Sequence, residues 1–323
     1  MNLRMNTFFV ALVILVLSSK LLAQEQPNLL SSTKVTTIGY WNIGDKIAYH
    51  VTTSDVTNKS TIAKPTKQSS STYDLELIVV DSTEHSYILE MKYLKASVEG
   101  IDPQLKEIMN SFQTSAAIRY QTDEFGAFQK ILNTNALQKD FQKKCEEFKK
   151  QLTINRSSEE AKASIAVLDG LLVEFSKPEN IEVLYLGDIM AIHGNYGMEL
   201  ILNKPVDVDV EIPCLMDIVV NGTGKISLQS INKVKDIALI SIKYKPNQAE
   251  LKKYMKTFFE LFIPKDSKEF KVDDMKIDFE NTEKLQMYLS SGWMESIQTS
   301  RTINISFEEE KIKKVTTTTY QRN

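Results

Sequence analysis

Gly44-Asp45-Lys46-Ile47-Ala48-Tyr49-His50 is echoed by Gly187-Asp188-Ile189-Met190-Ala191-Ile192-His193, with Gly, Asp, Ala and His at matching places. Further echoes follow in the same order. Tyr73 to Val80 and Tyr87 to Lys95 alternate apolar and polar residues, as a pair of half-buried strands does. Leu75 and Leu77 correspond to Ile226 and Leu228, and Leu89, Met91 and Tyr93 to Ile240, Ile242 and Tyr244. This register keeps the apolar set on one face, which a slip of one residue would turn outward. Leu105-Lys106-Glu107-Ile108-Met109-Asn110-Ser111-Phe112 is matched by Leu251-Lys252-Lys253-Tyr254-Met255-Lys256-Thr257-Phe258, and the glycine turn before Ile131 (Phe125-Gly126) by Gly292 before Ile297.

Each echo has the grammar of a folded element. Asp102-Pro103 opens the first repeated helix with a cap residue and a proline at the position whose N–H needs no partner. Asn247 with Glu250 opens the second, and Pro264 ends it. Between the copies, Leu137, Phe141, Cys145, Phe148 and Leu152 make one helical stripe, and Ala161, Ile165, Leu168, Leu172 and Phe175 a second that Pro178 closes. The short link Thr153-Ile154-Asn155-Arg156 folds the two into an antiparallel pair. Arg301 to Phe307 reads as a strand, and Ile312 to Tyr320 as a Thr-rich strand whose lysines suit a sheet edge.

The expected fold is therefore α+β: two duplicated curved antiparallel sheets, each with one helix, joined as a split, half-open barrel and carrying an inserted αα-hairpin. The expected boundaries are a signal peptide over 1–23, a linker over 24–38, repeat unit 1 over 39–132, the hairpin over 133–178, and repeat unit 2 with the C-terminal strands over 179–323.

The signal is read from Arg4, the apolar run Phe8 to Leu17 and the small residue Ala23 before Gln24. That run is shorter than the roughly 20 residues a spanning helix needs, so the expectation is an exported, periplasmic or secreted chain that does not span a membrane. Loss of the signal removes Arg4 and Lys20 and no acid, making the formal charge more negative than the −3 of the full chain. An acidic chain without a dense basic cluster does not suit nucleic acid. Export permits a disulfide, and Cys145 with Cys214 is the one pair available; the competing reading is two buried thiols.

Chemistry-bearing patterns are few. His50 and His193 occupy matching positions and would share a site if the copies faced each other. Trp41 and Trp293, beside Tyr40 and Met294, would line a ligand surface or pack at strand ends. Asp207, Asp209 and Glu211 alternate with valines, so their carboxylates point out of one strand face, too far apart for the oxygen cage of calcium. Asn221-Gly222 between apolar residues reads as a hairpin turn. Neither the glycine-rich phosphate loop nor the zinc and nucleophile motifs are present, so no cofactor or metal is expected and no catalytic residue is singled out.

The segment Leu22-Ala23-Gln24, the Gly44-Asp45 opening, the Asp123-Glu124-Phe125-Gly126 turn and Ser291-Gly292-Trp293 are together similar to uncharacterised exported proteins of Bacteroidota. The resemblance implies an envelope or secreted location and no activity. A concave sheet partly covered by amphipathic helices suits an apolar ligand, so the leading expectation is a non-enzymatic binding protein for a hydrophobic small molecule. The alternatives are an envelope protein-interaction or scaffold module using exposed strand edges, and an enzyme with a site between the repeats.

Overall fold

The computed structural model describes residues 33–59, 67–99, 117–155, 177–214, 218–262, 276–307 and 310–323, with scattered helical positions between 165 and 175. The strands are β1 (Lys34–Thr36), β2 (Lys46–Lys59), β3 (Lys67–Thr83), β4 (Ser86–Glu99), β5 (Ile118–Asp123), β6 (Phe128–Ile131), β7 (Glu199–Ile201), β8 (Val206–Cys214), β9 (Ile218–Asn232), β10 (Ile237–Pro246), β11 (Lys276–Tyr288), β12 (Met294–Phe307) and β13 (Glu310–Arg322). The helices are α1 (Thr134–Asn155), α2 (Pro178–His193) and α3 (Gln248–Phe262).

Eleven strands form one antiparallel sheet in the order β6-β5-β4-β3-β2-β13-β12-β11-β10-β9-β8, and β1 pairs with β7 in a separate ribbon. The expected pair of sheets is thus corrected to a single one, and the fold is mainly β. The cause is the C-terminal strand. β13 is not an edge: it pairs along its length with β12 on one side and with β2 on the other, from Ile312 opposite Lys59 to Arg322 opposite Tyr49. It fuses the N-terminal meander to the C-terminal one.

Part of the repeat survives in topology. The hairpin β3-β4 and the pair β5-β6 correspond to β9-β10 and β11-β12, in the same order along the sheet. The opening echo does not survive, because Lys46 to His50 lie on β2 whereas Gly187 to His193 lie on α2. Local chemistry explains the helix. Pro178 stands in its first turn, where the ring removes no helical bond. Ile181, Tyr185, Ile189 and Ile192 then recur at helical spacing and are buried. Burial of such side chains stabilises by about 1.5–3 kcal/mol each. The repeated helix expected over 105–112 lies outside the described residues, as does the signal segment.

A flat sheet of eleven strands would be roughly 50 Å wide, against about 10–12 Å for a helix. Yet α2 touches β6 at one edge, β8 at the other and β12 between them. The sheet therefore rolls around α2, with no ladder joining β6 to β8. The face turned toward α2 is the core: Tyr49, Val51, Leu75, Leu77, Leu89, Met91, Leu228, Ile240, Leu285 and Ile297 are all buried on it. α1 packs with α2 through the buried Leu137 end, and Phe141 meets Phe175 with ring centroids 5.0 Å apart. Thr153, Ile154 and Asn155, expected as a link, continue α1, and most of the second expected stripe lies outside the described residues. No described helix is long and apolar enough to cross a membrane.

Candidate functional site

The two ends of the rolled sheet differ in chemistry. One end is sealed. Residues 37–44 cross it as a strap: the Thr37 N–H donates to the Met198 carbonyl, that of Gly39 to Phe125, of Tyr40 to Ser291 and of Gly44 to Val79. Trp41 and Trp293 stack beneath the strap, 4.4 Å between centroids and 21° between planes, with Tyr196 and His193 edge-on to Trp41. Both indoles are buried, at 5% and 8% exposure, and pack against each other. Gly126 and Gly292 sit at φ +101° and +73°; a Cβ on Gly126 would meet the Trp41 ring at 2.8 Å and one on Gly292 the Ile38 carbonyl oxygen at 1.9 Å. The three short motifs around Gly44, Gly126 and Gly292 thus meet at one end of the molecule.

The two matching histidines are not brought together. His50 is exposed on the outer face of β2, its Nδ1 2.9 Å from Asp74, which that imidazole and Lys95 hold below the usual carboxylate range. His193 is fully buried at the end of α2. Its Nδ1 donates to the Gly126 carbonyl at 3.0 Å, which leaves Nε2 to accept from the Tyr120 hydroxyl at 2.7 Å. Burial lowers its pKa to about 4. Both ring nitrogens are occupied, so the imidazole is a structural group.

One turn earlier, Asp188 accepts three phenolic hydroxyls: Tyr73 at 2.7 Å, Tyr93 at 2.6 Å and Tyr320 at 2.5 Å. These tyrosines come from β3, β4 and β13, so one carboxyl group ties α2 to three strands. Burial, followed by the charge of Asp188, keeps all three phenols protonated at any ordinary pH. The echo at Gly187 includes Asp188 but says nothing of its tyrosine partners; the signal in the sequence is an acid inside an otherwise apolar helical stripe.

Past these tyrosines, toward the other end, the inner face changes character. The row Leu228, Ile240, Leu285, Ile297, Tyr320, Val51 and Tyr73 is apolar or aromatic. The next rows hold Glu283, Thr299, Thr318 and Thr53, then Tyr244, Asn281, Arg301, Thr316 and Asp55. They are hydrogen-bonded across the strands. The Thr53 and Thr318 hydroxyls lie 3.0 Å apart; Asp55 accepts from Thr316 at 2.5 Å and pairs with Lys314 at 3.1 Å. Arg301 Nε donates to Asn281 Oδ1 at 3.3 Å. Asn281 also bonds Tyr244, which donates to Glu283, and Asn195 beyond the end of α2 donates to the same carboxyl. Burial raises the Glu283 carboxyl above its ordinary value. Flanking this band, Val208, Val210, Ile212, Ile277, Ile303 and Ile305 are only half-buried, on the same inner face.

The outer face is solvated. Asp207, Asp209 and Glu211 point outward as expected, with Lys225 2.6 Å from Asp207. A groove of about 670 Å³ with charged and polar walls runs over β8 to β11 there. Asn221-Gly222 is not a turn; it lies within β9, paired on both sides, where glycine admits the Val210 side chain and the β10 backbone. Cys145 is a free, buried thiol, as in the second of the two readings, and makes no bond to Cys214; burial raises its pKa to about 11. The Cys214 side chain lies outside the described set. No group of three or more metal-ligating side chains occurs among the described residues.

No protein-family model and no curated protein matches the chain. Among solved structures it is similar to one described as lipid-protein interactions in lipovitellin, with TM-score 0.36 and 8% identity, over 87% of this chain and 25% of that one. The chain thus spans about a quarter of that protein's length, and a likeness at this level decides neither fold nor function.

Proposed function

We propose that this is an exported, non-enzymatic binding protein that holds a hydrophobic small molecule on the inner face of its rolled sheet. One observation carries the reading. The sheet wraps α2 at the sealed end and continues past it, so that half-exposed apolar side chains face inward beyond the helix. A concave apolar lining bearing a few placed polar groups is the usual chemistry of a small-molecule site. The titratable groups inside support binding over catalysis, since His193 and Asp188 are fully engaged in holding α2.

The test uses the mature chain and a neutral fluorescent alcohol, pyrene-dodecanol. Saturable binding of one probe per chain is expected, weakened about tenfold or more in Ile303→Asp, because a charge at the contact must be desolvated. Ser300→Asp, a change on the outer face of the same strand, should leave binding unchanged. Absence of saturable binding, or equal binding by both variants, would refute the proposal. Secretion of the chain with its first residues removed, checked by fractionating the cells, tests the exported location.

A further inference from the structure

We infer that the ligand of this inner face is an anionic amphiphile, with its carboxylate or phosphate head on Arg301 and its tail along Ile303, Ile305 and Phe279. The inference rests on the binding reading above and adds the chemistry of the head group. Arg301 stands directly opposite Asn281 on β11 and Thr316 on β13, on the same face as the buried Tyr320 and Leu285. It is nonetheless an exposed residue.

The guanidinium is aimed, not loose. Its Nε is held by Asn281, which is itself only 5% exposed, and its carbon lies 5.4 Å from the centroid of the Phe279 ring. Asn281 is bonded in turn by Tyr244, which donates to Glu283, itself bonded by Asn195. Among the described residues no carboxylate forms an ion pair with Arg301, whose charge acts at longer range on the buried Glu283, and its Nη donors have no hydrogen-bond partner among those residues. The nearby acids are otherwise engaged: Asp55 is taken by Lys314 and Thr316, and Glu283 by Tyr244 and Asn195. Lys314, directly opposite Ile303 and next to Thr316 on the same face, is neutralised by Asp55 at 3.1 Å, which leaves Arg301 as the cation offered to a head group. A planar guanidinium gripped through Nε presents its other donors in the fork that suits a carboxylate or phosphate. Ile303 and Ile305 follow Arg301 along β12 on the same inner face and are half-buried, with the buried Phe279 opposite Ile303, and an alkyl chain would lie along them.

Competition against pyrene-dodecanol separates the possibilities, using oleate, oleyl alcohol and dodecyl phosphate with wild type, Arg301→Gln and Lys314→Gln. In wild type, an anionic competitor should bind at least about tenfold more tightly than oleyl alcohol, the range of one charge-assisted hydrogen bond. Arg301→Gln should abolish that preference while leaving oleyl alcohol unchanged, and Lys314→Gln should reduce it by less. Preference for oleate assigns a fatty-acid head, and preference for dodecyl phosphate a phosphate head. Equal binding of charged and neutral competitors, or a preference that survives Arg301→Gln, overturns the head-group site and leaves the hydrophobic-ligand reading standing. If neither oleate nor oleyl alcohol displaces the probe, both readings fall.

Discussion

Replacing Asp188 by Ala is expected to be among the most damaging single changes outside the apolar core. The carboxyl accepts hydroxyls from Tyr73, Tyr93 and Tyr320, of which Tyr73 and Tyr320 are 8% and 4% exposed. A buried donor deprived of its acceptor costs about 1–3 kcal/mol. Part of that is recovered if a hydroxyl turns toward a neighbouring phenol, so three donors set an expected loss of about 3–6 kcal/mol. Asp188→Asn retains one acceptor oxygen and should fall between wild type and Ala. Urea unfolding is followed by the fluorescence of Trp41 and Trp293, which stack at the sealed end and report on its integrity. A double-mutant cycle with Tyr73→Phe isolates one arm, with an expected coupling of about 1–2 kcal/mol. A loss below about 1 kcal/mol for Asp188→Ala, or zero coupling to Tyr73, would show that the cluster does not tie α2 to the sheet.

Three other outcomes follow from the same core. His193 has its folded pKa pushed down to about 4, against an ordinary 6.5, so the unfolded chain binds its proton first; its contribution is complete above pH 6.5 and is lost as pH falls toward 4, about 3 kcal/mol in all. His193→Gln should flatten that part of the stability–pH curve. Gly292→Ala places a Cβ against the Ile38 carbonyl at positive φ, and should cost several kcal/mol and loosen the strap, seen as faster hydrogen exchange at Gly39 and Tyr40. Cys145, buried with its thiol raised to about 11, should react with a thiol reagent only as the protein unfolds, and a reductant should leave the melting temperature unchanged.

What could be read early and what could not divide along a physical line. Period-2 alternation marked β3, β4, β10 and the part of β9 around Ile226 and Leu228, because a strand declares its two faces residue by residue. The stripe from Leu137 to Phe148 likewise lies on α1, and Asn247 caps α3, its side chain accepting from the N–H groups of Ala249 and Glu250. The glycines at 126 and 292 were legible as turns. The echo of Gly44 to His50 at Gly187 to His193 misled, since shared letters do not carry period, and around Gly187 the buried residues recur every three or four positions. The pairing of His50 with His193 failed with it.

The sequence alone determined which residues share a face in β3, β4, β10 and α1, where α3 begins, and that the phosphate-loop, zinc and nucleophile motifs are not present. It pointed wrongly to a turn at Asn221-Gly222 and to a helix end at Pro178, where a helix in fact starts. Only the tertiary structure decided that β13 joins β2, that the resulting sheet rolls around α2, and that Arg301 stands on its inner face. The reason is range. Alternation and capping are properties of neighbouring residues, whereas strand pairing across more than 250 positions is selected by the whole core at once, and the surroundings of Asp188, His193 and Arg301 exist only after that selection.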